Sequence, residues 1–145
     1  RIEMGHVAGS ELDGRTIPYD NSLEGLLSKK KDFIGKRSLT REAFIAEDRQ
    51  KVVGVVPIDK KTSIPEGSHL VKDSNAPLPN PKLGYISASC WSVEHDNPFS
   101  LAILKDGKNM IGEKLFVMSP LKNKVIPVEI VSSHYVDPKG ERVRS

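Results

Sequence analysis

The spacing of hydrophobic residues along the chain changes near residue 50. Before that point apolar positions are sparse or helically spaced, whereas from Lys51 onward they fall into short β-branched runs with a period of two. Turn sequences such as Asp106-Gly107 separate these runs. We interpret six runs as strands, at residues 52–58, 69–71, 84–89, 100–104, 114–118 and 125–131. Six short strands at this spacing predict a small antiparallel β-barrel or sandwich.

The first third of the chain follows a different pattern. Residues 1–20 are rich in Gly, Asp and Thr and predict a long ordered loop, and residues 35–46 carry helix formers with one broad apolar face, which predicts a helix. Residues 21–31 fit either a capped helix or a strand, and we favour the strand. The sequence therefore predicts an α+β fold that is mainly β, with a short α/β lead-in, 1–48, before a small antiparallel β-barrel, 49–145.

The composition is typical of a soluble globular domain, with 37% hydrophobic and 28% charged residues among 145. No apolar run approaches the roughly 20 residues of a membrane-spanning helix, so we predict no membrane partner. Cys90 is the single cysteine and can form no internal disulfide, so a reducing, cytoplasmic location is expected. Cys90 could act as a nucleophile with His95 as its base, but we favour a half-buried thiol in a strand.

The net charge of +3 raises the question of a nucleic-acid partner. The only basic run, Lys29-Lys30-Lys31, is followed at once by Asp32, and the aromatic residues lack the regular spacing of a base-stacking platform. We therefore predict a solvated basic face and no nucleic-acid partner. The four histidines show no i, i+3 or i, i+4 pairing, so no metal site is expected.

Two residues near the ends of the chain are candidate ligand contacts. Arg1 could hold a planar or carboxylate-bearing ligand with its fixed, charged fork, or it could pair with Glu3 and tie a loop to a sheet. Tyr135 could present its hydroxyl to a ligand or serve as a core aromatic. The sequence has no phosphate-binding loop, HExxH or GxSxG motif, so composition and spacing alone name no reaction.

Several segments carry a family resemblance. In the lead-in, residues 1–9, 11–16 and 28–36 read RIEMGHVAG, ELDGRT and SKKKDFIGK, and in the barrel residues 84–89 and 135–142 read GYISAS and YVDPKGER. Together they resemble the C-terminal region of the alpha subunits of heterotetrameric sarcosine oxidases. These subunits fall within the wider glycine-cleavage T-protein (aminomethyltransferase) family of tetrahydrofolate-binding proteins. The resemblance extends over essentially the whole chain.

The resemblance implies that residues 1–48 are the tail of a central folate-binding domain and that residues 49–145 are the C-terminal barrel of a longer enzyme. In that family sarcosine is oxidised at a flavin on another subunit, and the one-carbon unit passes to tetrahydrofolate. The flavin, the NAD-binding region and the catalytic carboxylate would all lie outside this chain. We therefore expect no catalytic residue here and expect the fragment alone to be inactive.

The family pattern places Arg1 in the folate pocket, with His6 and Tyr135 as candidate neighbours. Many T-proteins have a tyrosine just before a glycine where this chain has Ala8-Gly9, which favours the sarcosine-oxidase-like branch. Folate is thus the expected substrate, and other sarcosine oxidase subunits are the expected partners. One alternative is a glycine-cleavage aminomethyltransferase. Another, of a different class, is a non-catalytic barrel that packs subunits together.

Overall fold

Six antiparallel strands close into a barrel whose strand order is β1-β4-β3-β2-β5-β6. The structure is a computed structural model that describes residues 1–77 and 79–144. The strands are β1 (Gln50–Pro57), β2 (His69–Val71), β3 (Gly84–Ser92), β4 (Asn97–Lys105), β5 (Lys114–Ser119) and β6 (Lys124–Val131). The prediction of a small antiparallel β-barrel after a short lead-in is confirmed, and the six runs of period two are its six strands.

Strand β1 closes the barrel because it pairs on both sides. It runs antiparallel to β4 from Gln50, opposite Lys105, to Val55, and antiparallel to β6 from Gly54 to Pro57. Every strand therefore has two neighbours, although β3 pairs with β2 only at Gly84 and Tyr85.

Alternate residues of β1 serve two separate hydrophobic clusters. Val53 and Val55 face the barrel interior, where they pack with residues from all five other strands. Val52 and Val56 face outward and pack with Phe99 and two further residues of β4. Eight of the nine residues of β4 are buried, a pattern that requires both faces of the strand to be covered. The outer cover comes from the lead-in and from the segment after β6.

The lead-in contains less regular structure than its pattern predicts. The predicted helix at 35–46 is wrong in extent: the chain forms a single 3₁₀ turn at Ser38–Thr40 and one turn of α-helix, α1, at Glu42–Ile45. The favoured strand at 21–31 is wrong, since this segment holds a 3₁₀ turn at Glu24–Leu26.

Burial explains both differences. No residue between positions 22 and 51 is buried, although the segment contains leucines, isoleucines and phenylalanines. A short helix or a single strand gains most of its stability from packing an apolar face, and within the described chain the apolar side chains of this segment are at most partly covered.

Three further short helical segments complete the described fold. They are 3₁₀ turns at Gly9–Glu11 and, between β5 and β6, at Pro120–Lys122, and a C-terminal turn, α2, at Glu141–Arg144. No helix in the described part of the chain is long and apolar enough to cross a membrane.

Close packing around Gly54 yields a stability prediction. A Cβ atom at this position would lie 2.6 Å from Cε2 of Phe99 and 2.8 Å from Cγ2 of Val131 and would also meet the backbone oxygen of Ser132. We expect Gly54→Ala to lower the free energy of unfolding by about 1–3 kcal/mol in urea titration, because the packed wall cannot yield freely. Gly25→Ala, where a Cβ meets no atom within 4 Å, is the matched control and should be close to neutral. Equal loss in both variants would contradict the packing argument.

Candidate functional site

The N-terminal segment is fixed to the barrel through the backbone of Glu3. Its carbonyl oxygen accepts hydrogen bonds from the backbone N–H groups of Tyr135, at 3.0 Å, and Val136, at 2.9 Å. The side chains of Ile2 and Val7 pack against the outer hydrophobic cluster on either side of this contact. The two ends of the chain, which carry the candidate ligand contacts, therefore meet on the same outer face of the barrel.

The guanidinium group of Arg1 is held at one nitrogen and open elsewhere. Its Nη1 donates to the backbone oxygen of His6 at 2.8 Å and lies 3.6 Å from Oε2 of Glu11, while 43% of the side chain stays exposed. The His6 backbone N–H in turn donates to the Arg1 carbonyl at 3.1 Å. Arg1 and His6 are thus brought together. The ion pair considered between Arg1 and Glu3 is wrong, because Glu11 takes the place of Glu3.

Glu11 is a fully buried acid that the sequence analysis did not single out. Its Oε2 accepts the backbone N–H of Ala8 at 2.9 Å, which closes the 3₁₀ turn at Gly9–Glu11. Its Oε1 is buried with no hydrogen-bond partner among the described residues. The spacing of three between Ala8 and Glu11 is that of a carboxylate returning to an N-cap N–H, and this signal could have identified it.

Tyr135 lies beside the N-terminal segment, but its side chain points into polar and aromatic contacts of the barrel. Its ring stacks on Phe99 with centroids 4.6 Å apart and contacts the ring of His95 at 4.1 Å. The side-chain amide of Asn97 donates to its hydroxyl at 3.1 Å. This packing fits the core-aromatic interpretation of Tyr135 and leaves its hydroxyl already engaged.

Cys90 lies half-buried in β3, opposite Phe99 of β4, as the favoured interpretation predicted. Burial raises the pKa of its thiol, and the nearby carboxylate of Glu3 raises that pKa further. His95, the proposed base, instead places its Nε2 3.1 Å from the backbone oxygen of Tyr135. A thiol held in its protonated form is a poor nucleophile, so this geometry argues against nucleophilic catalysis.

A second ion pair joins the lead-in to the start of the barrel. Nε of Arg49 donates to Oδ1 of the buried Asp20 at 2.9 Å, and these hydrogen bonds raise the pKa of the Arg49 guanidinium. Asp20 also accepts the backbone N–H of Ile17 with its side chain, and it accepts that of Val52 with its carbonyl at 2.7 Å. The guanidinium lies 5.4 Å from the ring centroid of Phe44.

Beside this pair lies an open cleft of about 460 Å³ whose lining includes Tyr19, Phe44, Arg49, Lys51 and Lys108. The lining mixes both signs of charge, and the cations closest to Asp20 and Glu24 are already paired with them. The cleft therefore shows no single preference for an anionic or a cationic ligand.

The basic run of the lead-in is exposed at all three lysines. The backbone N–H of Lys31 donates to Oγ of Ser28, and the neighbouring Lys36 pairs with Asp32 at 3.1 Å. Ile34, in the same turn, is fully exposed to solvent. This surface thus combines free positive charge with an uncovered apolar side chain.

The fold, taken with its lead-in, resembles that of a solved aminomethyltransferase. The crystal structure of glycine cleavage system aminomethyltransferase T from Bartonella henselae superposes with a TM-score of 0.72 over 95% of this chain and 37% of that chain. Only 18% of the aligned residues are identical, so this likeness is one of fold alone.

At the level of sequence the chain is similar to sarcosine oxidase alpha subunits. It is 38% identical over 145 residues to the subunit alpha of Rhizobium meliloti (strain 1021), 35% identical to that of Corynebacterium sp. (strain P-1), and 34% identical to that of Corynebacterium sp. (strain U-96). Each match covers at least 98% of this chain but only 15% of the relative's length. The chain matches no protein-family model. The resemblance inferred from the motifs is confirmed.

The buried ion pair yields a prediction for stability. Asp20→Asn should lower the free energy of unfolding by about 3 kcal/mol in denaturant titration, because it removes one partner from a buried charge pair. Asp13→Asn is the matched control, since Asp13 pairs with Arg15 at the exposed surface, and its cost should stay below about 1 kcal/mol. A loss at Asp20 no larger than that at Asp13 would contradict the anchoring role of the buried pair.

The environment of Cys90 yields a prediction for reactivity. The raised pKa means that less thiolate is present at any given pH, so alkylation by iodoacetamide should be slower in the folded chain than in urea. The rate in the folded chain should rise only at a pH above the ordinary thiol pKa. Rapid alkylation at neutral pH would instead support Cys90 as a nucleophile. Mass spectrometry of the labelled peptide provides the measurement.

Proposed function

We propose that the polypeptide carrying this chain is a tetrahydrofolate-dependent one-carbon enzyme of the sarcosine oxidase type. It would demethylate sarcosine and transfer the one-carbon unit to tetrahydrofolate. The observation that carries this proposal is the similarity of 99% of this chain to sarcosine oxidase alpha subunits, at 38% identity in the first of them. The fold of an aminomethyltransferase supports it independently.

In this proposal Arg1 is the contribution of the chain to the folate site. Among the described residues its polar contacts all involve Nη1, so Nε and Nη2 form an unoccupied two-donor fork on a half-exposed side chain. Such a fork pairs with a carboxylate or carbonyl oxygen, and the planar guanidinium can also stack on a ring system. Tetrahydrofolate offers both chemistries. His6 and Tyr135 would support the site through the backbone contacts described above.

We further propose that residues 1–48 complete a folate-binding domain and that residues 49–145 form a separate barrel domain. The absence of any buried side chain between residues 22 and 51 supports this division. Leu26, Ile34 and Ile45 are among the most exposed large apolar side chains of the structure, and a domain body formed by other parts of the polypeptide would cover them. The flavin and NAD of the enzyme would bind elsewhere, and a cytoplasmic location would suit the single free thiol.

An interaction role remains the second candidate. The uncovered Ile34 beside the exposed lysines at positions 29–31 is the observation that favours it, because protein–protein interfaces have an apolar core and a polar rim. Reversing the charge of the three lysines should then dissociate a subunit complex while folate turnover continues.

A glycine-cleavage aminomethyltransferase is the alternative within the enzyme class. Turnover of sarcosine, rather than of a lipoyl-bound aminomethyl group, separates the two enzymes.

Isothermal titration with tetrahydrofolate tests the folate proposal. We expect binding by a polypeptide of the relatives' full length, and weak or no binding by the 145-residue chain, because most of the pocket lies outside it. In the long form Arg1→Ala should weaken binding about 10- to 100-fold, the usual range for a lost charge-assisted hydrogen bond.

Arg15→Ala provides the matched control, since Arg15 is also an exposed lead-in arginine paired with a carboxylate. The affinity of this variant for tetrahydrofolate should equal that of the wild type. No binding by the long form would contradict the folate proposal and favour the interaction barrel. Submicromolar binding by the 145-residue chain would contradict the division of the pocket.

A further inference from the structure

Glu11, the acid beside Arg1, is fully buried, although it lies in a polar, glycine-rich segment of the sequence. Glu11 has no exposed side-chain surface, whereas Arg1, its ion-pair partner, is 43% exposed. A buried carboxylate is costly unless positive charge and hydrogen bonds compensate for it. The Ala8 N–H and the Arg1 guanidinium are the compensating groups, and both act on Oε2.

The geometry of this pair fixes one side of the guanidinium. Nη1 of Arg1 is held between Oε2 of Glu11 and the backbone oxygen of His6, 2.8 Å away. A guanidinium is planar and rigid, so holding Nη1 at two points leaves the Nε and Nη2 edge directed away from Glu11. That edge is the one with two parallel donors for a ligand oxygen pair.

The turn that carries Glu11 is itself held by several contacts, which suits a positioning role. The backbone N–H of Glu11 donates to the Ala8 oxygen at 3.3 Å, and its carbonyl accepts the hydroxyl of Thr16 at 3.1 Å. The hydroxyl of Ser10 reaches the backbone oxygen of Ser87 in β3 at 3.4 Å. The carboxylate is thus fixed relative to the barrel and not merely to the flexible end of an arginine side chain.

We propose that Glu11 is the positioning residue of the Arg1 site, whose buried carboxylate holds Nη1 so that the Nε and Nη2 edge of Arg1 faces a carboxylate or carbonyl oxygen of the ligand. The inference rests on the proposed function for the identity of the ligand, tetrahydrofolate. It assigns Glu11 no contact with the ligand. We therefore expect the charge of Glu11 to affect tetrahydrofolate affinity only while Arg1 is present.

The first test measures tetrahydrofolate binding in the full-length polypeptide. Glu11→Gln preserves the size of the side chain and removes its charge, and it should weaken binding about tenfold. In an Arg1→Ala background the same substitution should change the affinity less than twofold, because the group that it positions is gone. Asp13→Asn, an equal loss of charge on the exposed surface of the same loop, should leave the affinity unchanged.

The second test needs no ligand. Phenylglyoxal modifies accessible guanidinium groups, and peptide mass spectrometry reports the rate at Arg1. In Glu11→Gln the Arg1 guanidinium keeps its hydrogen bond to the His6 carbonyl but loses its ion pair, so the rate at Arg1 should rise severalfold. Asp13→Asn should not alter that rate. Glu11→Asp, which keeps the charge on a shorter side chain, should give an intermediate rate.

Each result separates the positioning role from the proposed function. If the wild-type protein binds tetrahydrofolate and Glu11→Gln binds equally well, the positioning role is wrong while the folate proposal stands. Equal losses from Glu11→Gln with and without Arg1 would show a merely structural role and overturn the inference. If the wild-type protein does not bind folate, the proposed function fails, and an unchanged phenylglyoxal rate in Glu11→Gln would overturn the positioning role as well.

Discussion

The position of the candidate site follows from the way in which β1 closes the barrel. Because β1 joins β4 and β6, the sheet closes, and the alternation along β1 divides the apolar residues between an interior and an outer cluster. The outer cluster must be covered, since Phe99 and its neighbours in β4 would otherwise face water. The lead-in and the segment around Tyr135 provide that cover, so the candidate site is a consequence of barrel closure.

The cover packs apolar side chains such as Ile2, Val7 and Tyr135 on the outer cluster, and backbone contacts and ion pairs of three acids hold it in place. Glu3 joins the chain start to Tyr135 through its carbonyl, Asp20 joins the lead-in to β1 through Arg49, and Glu11 joins Arg1 to the turn at Gly9–Glu11. The side chains of Glu11 and Asp20 are buried, and the backbone oxygen of Glu3 accepts two hydrogen bonds from the segment after β6. Buried acceptors therefore hold the site in place, and the guanidinium group of Arg1 is a cationic group that it offers to solvent.

Much of the barrel could be predicted from the sequence because its signal is local. The runs of period two in the second part of the chain need only alternate in and out of one core, and all six became strands. The lead-in could not be predicted in the same way. Residues 35–46 have good helical periodicity, but periodicity produces a long helix only where a partner surface covers the apolar face. Within the described chain that face is only partly covered. The sequence could not identify the ion-pair partner of Arg1 either. Whether Glu3 or Glu11 reaches the guanidinium depends on how the turn between them folds.

We propose that the lead-in belongs to a folate-binding domain formed mostly by other parts of the polypeptide, and that the barrel folds without them. The experiment is hydrogen–deuterium exchange on the 145-residue chain and on a polypeptide of the relatives' full length. Amides of the barrel strands should exchange equally slowly in both, whereas those between residues 22 and 48 should exchange fast in the short chain and slowly in the long one. Equal exchange of residues 22–48 in the two forms would contradict the account.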